Sequence, residues 1–281
     1  MTSPAESLGL SSAALPLLAA VVQDRLGLVY ESQRYDVLAD RLAPLVLERG
    51  FESFLDYYYL LKYDAEAGEE WGRVIDALSV PETYFWREID QLRAVVNHIV
   101  PALVARGAPV RVWSVPCATG EEPLTLAMLL EEAGWFARAP IEIHASEGSP
   151  AALARARAGL YRERSLRTLP LALRDRYFAP EGDRWRVSPA LQARVTSWSV
   201  ANLLCEGDVA PHARVPVILC RNVFIYFSSS AIERVVDSFA RAMPPRAYLC
   251  VGASESLLKI RSPFVLEEIG GAFVYVKGED A

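Results

Sequence analysis

Four segments of this chain set polar side chains among small or apolar neighbours in a way that could hold a small ligand. In residues 115–123 a turn of small residues, Cys117 to Gly120, lets backbone approach a ligand, and the acids Glu121 and Glu122 follow where a helix begins. The turn lacks the Gly-x-Gly-x-x-Gly of dinucleotide sites, and its two acids would repel a phosphate, so a cationic ligand suits it better. The same acids are favoured at any helix start by the helix dipole. Residues 146–150 place Glu147 where a carboxylate can accept both hydroxyls of a ribose, or can cap the next helix. In residues 220–227, Arg221, Asn222 and Tyr226 interrupt an apolar run; buried polar groups need partners, so these bind one another or a ligand, and a strand end favours the ligand. Residues 81–88 cluster aromatics around Arg87, which fits an interdomain seam as well as a site.

These segments can meet only if a common frame brings them together, and open parallel sheets bind ligands beyond the carboxyl ends of their strands. Residues 110–114 and 141–145 read as strands, separated by a helix over 123–132. A strand-like run at 215–220 precedes a helix near 230–242, and strands at 248–252 and 273–276 close the chain. The alternation implies a parallel α/β sheet. Ahead of it, residues 11–28, 34–49, 51–61 and 71–78 carry apolar residues at helical spacing, with Gly27, Gly50 and Gly68 at stops or connections. The organisation expected is a helical N-terminal domain with its linker over 1–88 and an α/β domain over 89–281, with a small β-hairpin inserted near 184–198.

A length of 281 residues allows two domains at most, and 52% hydrophobic with 23% charged residues permits a substantial core. The longest apolar stretch, residues 13–22, is far shorter than the roughly 20 residues that cross a bilayer, and no base precedes it as in a signal peptide, so a cytoplasmic protein is expected, without membrane insertion. Cys117, Cys205, Cys220 and Cys250 are widely separated and three histidines accompany them, which indicates neither a metal site nor a disulfide framework; buried, reduced thiols are expected. Up to residue 90 there are 7 Lys+Arg against 16 Asp+Glu, a net of −9. An acidic face of that kind excludes nucleic acid as the partner.

Taken in order, the segments resemble the chemoreceptor methyltransferases of bacterial chemotaxis, the CheR family. The residues that carry the likeness are Glu82-Thr83-x-Phe85-x-Arg87-Glu88, Arg111 to Ser114 with Thr119 to Pro123, Ala152 to Tyr161, Cys220 to Phe227, and Gly252-x-Ser254-Glu255-Ser256-Leu257. Asp24 to Leu28 and Arg41-Leu42 are similar to the family's helical N-terminal domain. The resemblance implies a Rossmann-like class I methyltransferase sheet of seven strands and S-adenosylmethionine-dependent methyl transfer to glutamate side chains of a chemoreceptor or receptor-like signalling protein, leaving S-adenosylhomocysteine. Carried over by motif, Thr83, Arg87, Glu122, Glu147, Asn202, Leu203, Arg221 and Asn222 would surround the cofactor, Glu147 at the ribose and Asn222 at the methionine end. Arg87 and Tyr226 would act catalytically, orienting the acceptor carboxylate; such a carboxylate, of ordinary pKa about 4.3, is ionised at neutral pH and needs no general base.

The chain departs from the family pattern at several places. Glu147 followed by Gly148 stands for the usual Asp and apolar residue, Pro81 and Pro116 replace common smaller or polar residues, residues 245–247 read Pro-Arg-Ala for Pro-Gly-Gly, and Ala253 replaces a common His. Where receptor-docking relatives resemble one another in a basic second helix, residues 34–49 here balance their arginines with Asp36, Asp40 and Glu48 and include Ala43, Leu45, Val46 and Leu47. The expected partner is therefore less acidic, or meets this domain through apolar surface. Methylation of a different acceptor, and a cofactor-binding scaffold without catalysis, are the alternatives; the Arg87, Asn222 and Tyr226 set argues against the scaffold.

Overall fold

The computed structural model describes residues 8, 13–64, 67–80 and 82–279. Ser11 and the departure at Pro81 lie outside the described residues. The N-terminal part is a bundle of α1 (Ala14–Leu26), α2 (Tyr35–Glu48), α3 (Phe54–Tyr63) and α4 (Ala67–Leu78). Gly27 stops α1 in a left-handed conformation, φ 77°, while Gly68, expected at a connection, lies inside the first turn of α4. Leu18, Leu38, Leu42, Phe54, Tyr57 and Val74 fill the bundle's core. A buried carboxylate, Glu70, accepts from Tyr57 Oη at 2.7 Å and from Arg49 Nη2 at 2.5 Å, which ties α2, α3 and α4 together. On α2, Leu38, Ala39, Leu42, Ala43 and Val46 all point into this core, and of the run 45–47 only Leu47 is exposed. Large apolar residues that the bundle does expose include Leu17 on α1, Leu47 on α2, and Leu55, Tyr59 and Tyr63 on α3, where the two tyrosine rings stack at 6.0 Å.

Helical turns α5 (Ile89–Ala94) and α6 (Val100–Ala105), with a π-helical turn Val95–Ile99 between them, lead into the sheet. The strands are β1 (Val110–Ser114), β2 (Ile141–Glu147), β3 (Leu160–Tyr161), β4 (Phe178–Glu181), β5 (Arg184–Val187), β6 (Ser197–Val200), β7 (Val217–Leu219), β8 (Tyr248–Cys250), β9 (Phe264–Ile269) and β10 (Ala272–Lys277). Seven of them form one sheet in the order β6-β2-β1-β7-β8-β10-β9. The connecting helices are α7 (Glu121–Glu132), α8 (Pro150–Ala158), α9 (Leu171–Tyr177), α10 (Pro189–Gln192), α11 (Glu206–His212) and α12 (Ser229–Ala242). Period-two alternation sorts the sheet's side chains onto two faces. Val112, Leu219 and Val274 join the core on one side, Trp113, Ile218 and Tyr275 that on the other.

The sheet is mixed, not wholly parallel. From β6 to β8 neighbours are parallel, while β10 runs antiparallel to β8 and β9. Gly270 and Gly271, both at positive φ, make the β9–β10 turn that forces the reversal. The small inserted sheet also sits elsewhere than expected. Its order is β3-β5-β4, its hairpin turns at Gly182 (φ 62°) and Asp183, and it spans 178–187; Ser197–Val200 pairs instead with β2 as an edge of the large sheet. No described helix is long and apolar enough to cross a membrane.

Candidate active site

The carboxyl ends of β1, β2, β6 and β7 converge, with β1 between β2 and β7, the arrangement in which a doubly wound sheet opens a crevice. A cleft of about 1190 Å³, its open mouth included, lies there. Thr83, Arg87, Glu122, Glu147, Asn202, Leu203, Arg221, Asn222 and Tyr226 all line it. So do Leu26, Leu28, Ile75, Ser79 and Val80 from the N-terminal part; Leu26 and Leu28 stand in the segment likened to the family's helical domain, but none of the five was expected at the site. They arrive because the bundle is laced to the sheet: Val29 N–H donates to the Tyr226 carbonyl at 3.0 Å, Asn202 Nδ2 to the Arg25 carbonyl at 2.9 Å, and Ser149 Oγ to Asp76 Oδ1 at 2.5 Å.

Glu147 ends β2 almost buried, accepting from Ala118 N at 2.9 Å and Ser149 N at 3.0 Å. Burial pushes its carboxyl above the usual range against these N–H groups. The Cys117–Gly120 turn curls beneath it: Ala118 and Gly120 take positive φ, and Cys117 N–H donates to the Ser146 carbonyl. Glu122, in the first turn of α7, accepts from Ser114 Oγ at 2.7 Å and Arg221 Nη1 at 3.0 Å, while burial drives its carboxyl upward. Burial likewise raises the thiols of Cys117, Cys220 and Cys250, which keeps them inert; Cys205 is half-buried.

Arg221 is 2% exposed at its side chain, and besides Glu122 it donates to the carbonyls of Arg87 and Glu88, each at 3.0 Å. Its guanidinium thus holds the wall rather than projecting into the space. Asn202 is engaged similarly, since Oδ1 accepts from Leu204 N while Nδ2 holds Arg25. Arg87 donates from Nη1 to the Glu82 carbonyl at 2.6 Å and faces the Tyr84 ring, on whose surface Arg167 also lies, 3.7 Å from the centroid. Phe85, beside them, is buried edge-on against Tyr161 of β3 and Phe178 of β4, with its N–H on the Ser165 carbonyl and its carbonyl on Thr168 Oγ1. The aromatic cluster of 81–88 therefore supplies both a seam and a wall of the cleft.

Three carboxylates had no role in the sequence reading. Asp76 also accepts from Ala151 N at the start of α8. Glu255 accepts from the N–H groups of Asn222, Ile225 and Gly252. Glu88 binds Arg221, Asn222 and Ala253. Glu88 and Glu255 stand inside quoted motifs, but their spacing discloses no partner; Asp76 carries no motif signal.

As a donor set, the cleft offers buried carboxylates and amides between apolar walls, and its best-buried cation is bound to Glu122. That chemistry fits a ligand with a positive centre, a diol and an amino-acid end, and does not fit a polyphosphate. Among the described residues no group of His, Cys, Asp and Glu is placed to hold a metal ion.

Comparison with known proteins agrees. Residues 81–270 match the family model described as CheR methyltransferase, SAM binding domain, and residues 13–79 the one described as CheR methyltransferase, all-alpha domain. The chain is similar to Chemotaxis protein methyltransferase 2 of Vibrio cholerae serotype O1, 32% identical over 255 residues, covering 89% of this chain and 88% of that protein. It is similar to the Chemotaxis protein methyltransferase of Klebsiella aerogenes, 32% identical over 268 residues, covering 93% and 89%. The Probable biofilm formation methyltransferase WspC of Pseudomonas putida is 30% identical over 260 residues, 92% of this chain and 60% of that protein. With its helical bundle and its sheet each matched in sequence, and a cleft of the right chemistry between them, the chain belongs to the CheR methyltransferase family.

Proposed function

We propose that this S-adenosylmethionine-dependent methyltransferase esterifies glutamate side chains of a chemoreceptor in the cytoplasm, with Arg87 and Tyr226 orienting the acceptor. The observation that carries this reading is the gathering of Arg87, Tyr226, Asn222 and the carboxylates Glu122 and Glu147 around one cleft at the carboxyl ends of the strands. Thr83, Leu203 and the bundle residues Leu26, Leu28 and Ile75 supply its walls, Glu147 is the residue for the ribose, and Asn222 is that for the methionine end. When bound, S-adenosylmethionine supplies a methyl group on a sulfonium, which passes to a carboxylate oxygen while the electron pair of the broken bond stays on sulfur. The acceptor is already ionised, so the protein moves no proton. Its own residues position and exclude water. Arg87 brings a cation to the cleft for the acceptor carboxylate, and Tyr226, its backbone held by Val29, sets a phenol opposite. The bundle walls keep solvent from the reacting groups, which strengthens attraction between unlike charges.

The test is transfer of labelled methyl from S-adenosylmethionine into a purified receptor signalling fragment, released as methanol by mild base because a glutamyl ester is alkali-labile. Label that survives base, or no label in any receptor fragment, would overturn the glutamate reading. Arg87→Ala should lower kcat far more than cofactor affinity; unchanged kcat would remove Arg87 from the mechanism.

A further inference from the structure

Arg87 is flanked by two residues in the left-handed region, Trp86 (φ 72°) and Glu88 (φ 46°), and Asn222 across the cleft has φ 61°. Side chains rarely accept that conformation, at a cost of order 1 kcal/mol or more each, unless their surroundings over-determine it. The surroundings here centre on the Glu88 carboxylate. Oε1 accepts from Asn222 Nδ2 at 3.0 Å, and Oε2 from Ala253 N at 3.0 Å and Arg221 Nη2 at 3.3 Å, with Arg87 Nε 3.9 Å from Oε1. Partial burial works against its charge, but Ala253, Asn222 and Arg221 outweigh it and hold the carboxyl below its ordinary range. Glu88 is therefore ionised and can only accept, so the Asn222 atom that meets it must be the NH2 group. Gly252 closes the other side, since a Cβ there would lie 2.6 Å from Asn222 Nδ2. The amide is fixed in one of its two flips, and among the described residues nothing donates to Oδ1.

We propose that Glu88 is a positioning residue that acts through Asn222, locking its amide so that Oδ1 faces the cleft and accepts from the ammonium of the cofactor's amino-acid end. This rests on the reading above that Asn222 serves the methionine end. Glu88→Gln tests it with little change of shape. Two donors, Ala253 N–H and Arg221, require an oxygen at the Oε2 position, so the new NH2 falls at the Oε1 position and faces Asn222. Asn222 must then flip, turning its own NH2 toward the ammonium. Asn222→Asp in the Glu88→Gln background restores an acceptor on both sides and returns the local charge to its original value.

Calorimetry on the full chain with S-adenosylhomocysteine and with 5′-methylthioadenosine, which lacks the amino-acid end, separates the possibilities. Glu88→Gln should weaken S-adenosylhomocysteine on the order of 10- to 100-fold, the worth of a hydrogen bond to a charged group, and change 5′-methylthioadenosine less than about twofold. The Glu88→Gln/Asn222→Asp double variant should recover most of the loss. Equal weakening of both ligands, or a double variant no better than Glu88→Gln, would overturn the proposal. If Asn222→Ala leaves S-adenosylhomocysteine binding intact, the placement of the methionine end falls, and this proposal with it, while the cofactor reading stands. If the unaltered chain does not bind S-adenosylhomocysteine at all, every reading of the cleft falls together.

Discussion

Replacing Arg221 with Met removes the partner cation that, among the described residues, faces the half-buried carboxylate of Glu122, while keeping an unbranched side chain in its place. Glu122 would retain only the Ser114 hydroxyl, and the carbonyls of Arg87 and Glu88 would lose their guanidinium donor. Breaking a buried pair from one side costs about 3–5 kcal/mol at neutral pH, because the remaining charge is stranded. The pH dependence distinguishes this from a packing loss. Burial already holds the Glu122 carboxyl above its ordinary value in the folded state, and Arg221 is the first influence opposing the rise. A carboxyl whose folded pKa lies above its unfolded one destabilises at high pH and is relieved as pH falls through the folded pKa toward the unfolded one. Without Arg221 that folded pKa climbs further, so the variant gains more than the unaltered protein on acidification. Each pH unit that lies between the two folded pKa values is worth about 1.4 kcal/mol, so the difference between the two proteins should shrink from about pH 7.5 to about pH 5.5. Urea unfolding of both proteins at the two pH values measures it. A difference that is the same at both pH values, or that widens in acid, would refute the stranded-charge argument.

Two further outcomes are expected. Asp76→Ala removes the acceptor for Ser149 Oγ and Ala151 N, and should cost about 2 kcal/mol, with a coupling near 1 kcal/mol in a double-mutant cycle with Ser149→Ala; additive single effects would mean that this contact does not join the bundle to the sheet. Gly252→Ala would put a Cβ 2.6 Å from Asn222 Nδ2 and 2.8 Å from Glu255 Oε2, at a cost of about 1–3 kcal/mol, and should weaken S-adenosylhomocysteine; full affinity in a stable variant would mean that Asn222 has room to move.

Local pattern carries a good part of the frame. β1 has the bounds expected for it, and α12 starts one residue before its expected range, where Ser228 caps it by accepting from Ala231 N. These elements are legible because alternation and capping act over a few residues. The hairpin was misplaced because residues 184–198 hold two kinds of strand, one pairing within the small sheet and one with β2, and a strand's pattern does not name its partner. β10 was expected as a strand but its antiparallel setting was not, because its partner β9 was missed: exposed Val265 and acidic positions hide the alternation of β9. On α2, composition marks the helix as apolar without saying which side is covered; burial depends on what packs against a helix, and here the bundle takes Leu38, Leu42 and Val46.

By itself the sequence determined which residue types stand at the strand ends, and so the kind of ligand they suit: acids and amides after β1, β2 and β7, with Arg87 before the sheet. Folding alone decided how they are used. Arg221 turns from the space to bind Glu122, Asn202 anchors Arg25, and Glu88 reaches Asn222, which lies 134 residues away in the chain. Such pairings need partners brought together by loops whose closure cost grows slowly with length, so no local signal marks them. The identity of a site residue is local chemistry, whereas its orientation belongs to the packed whole.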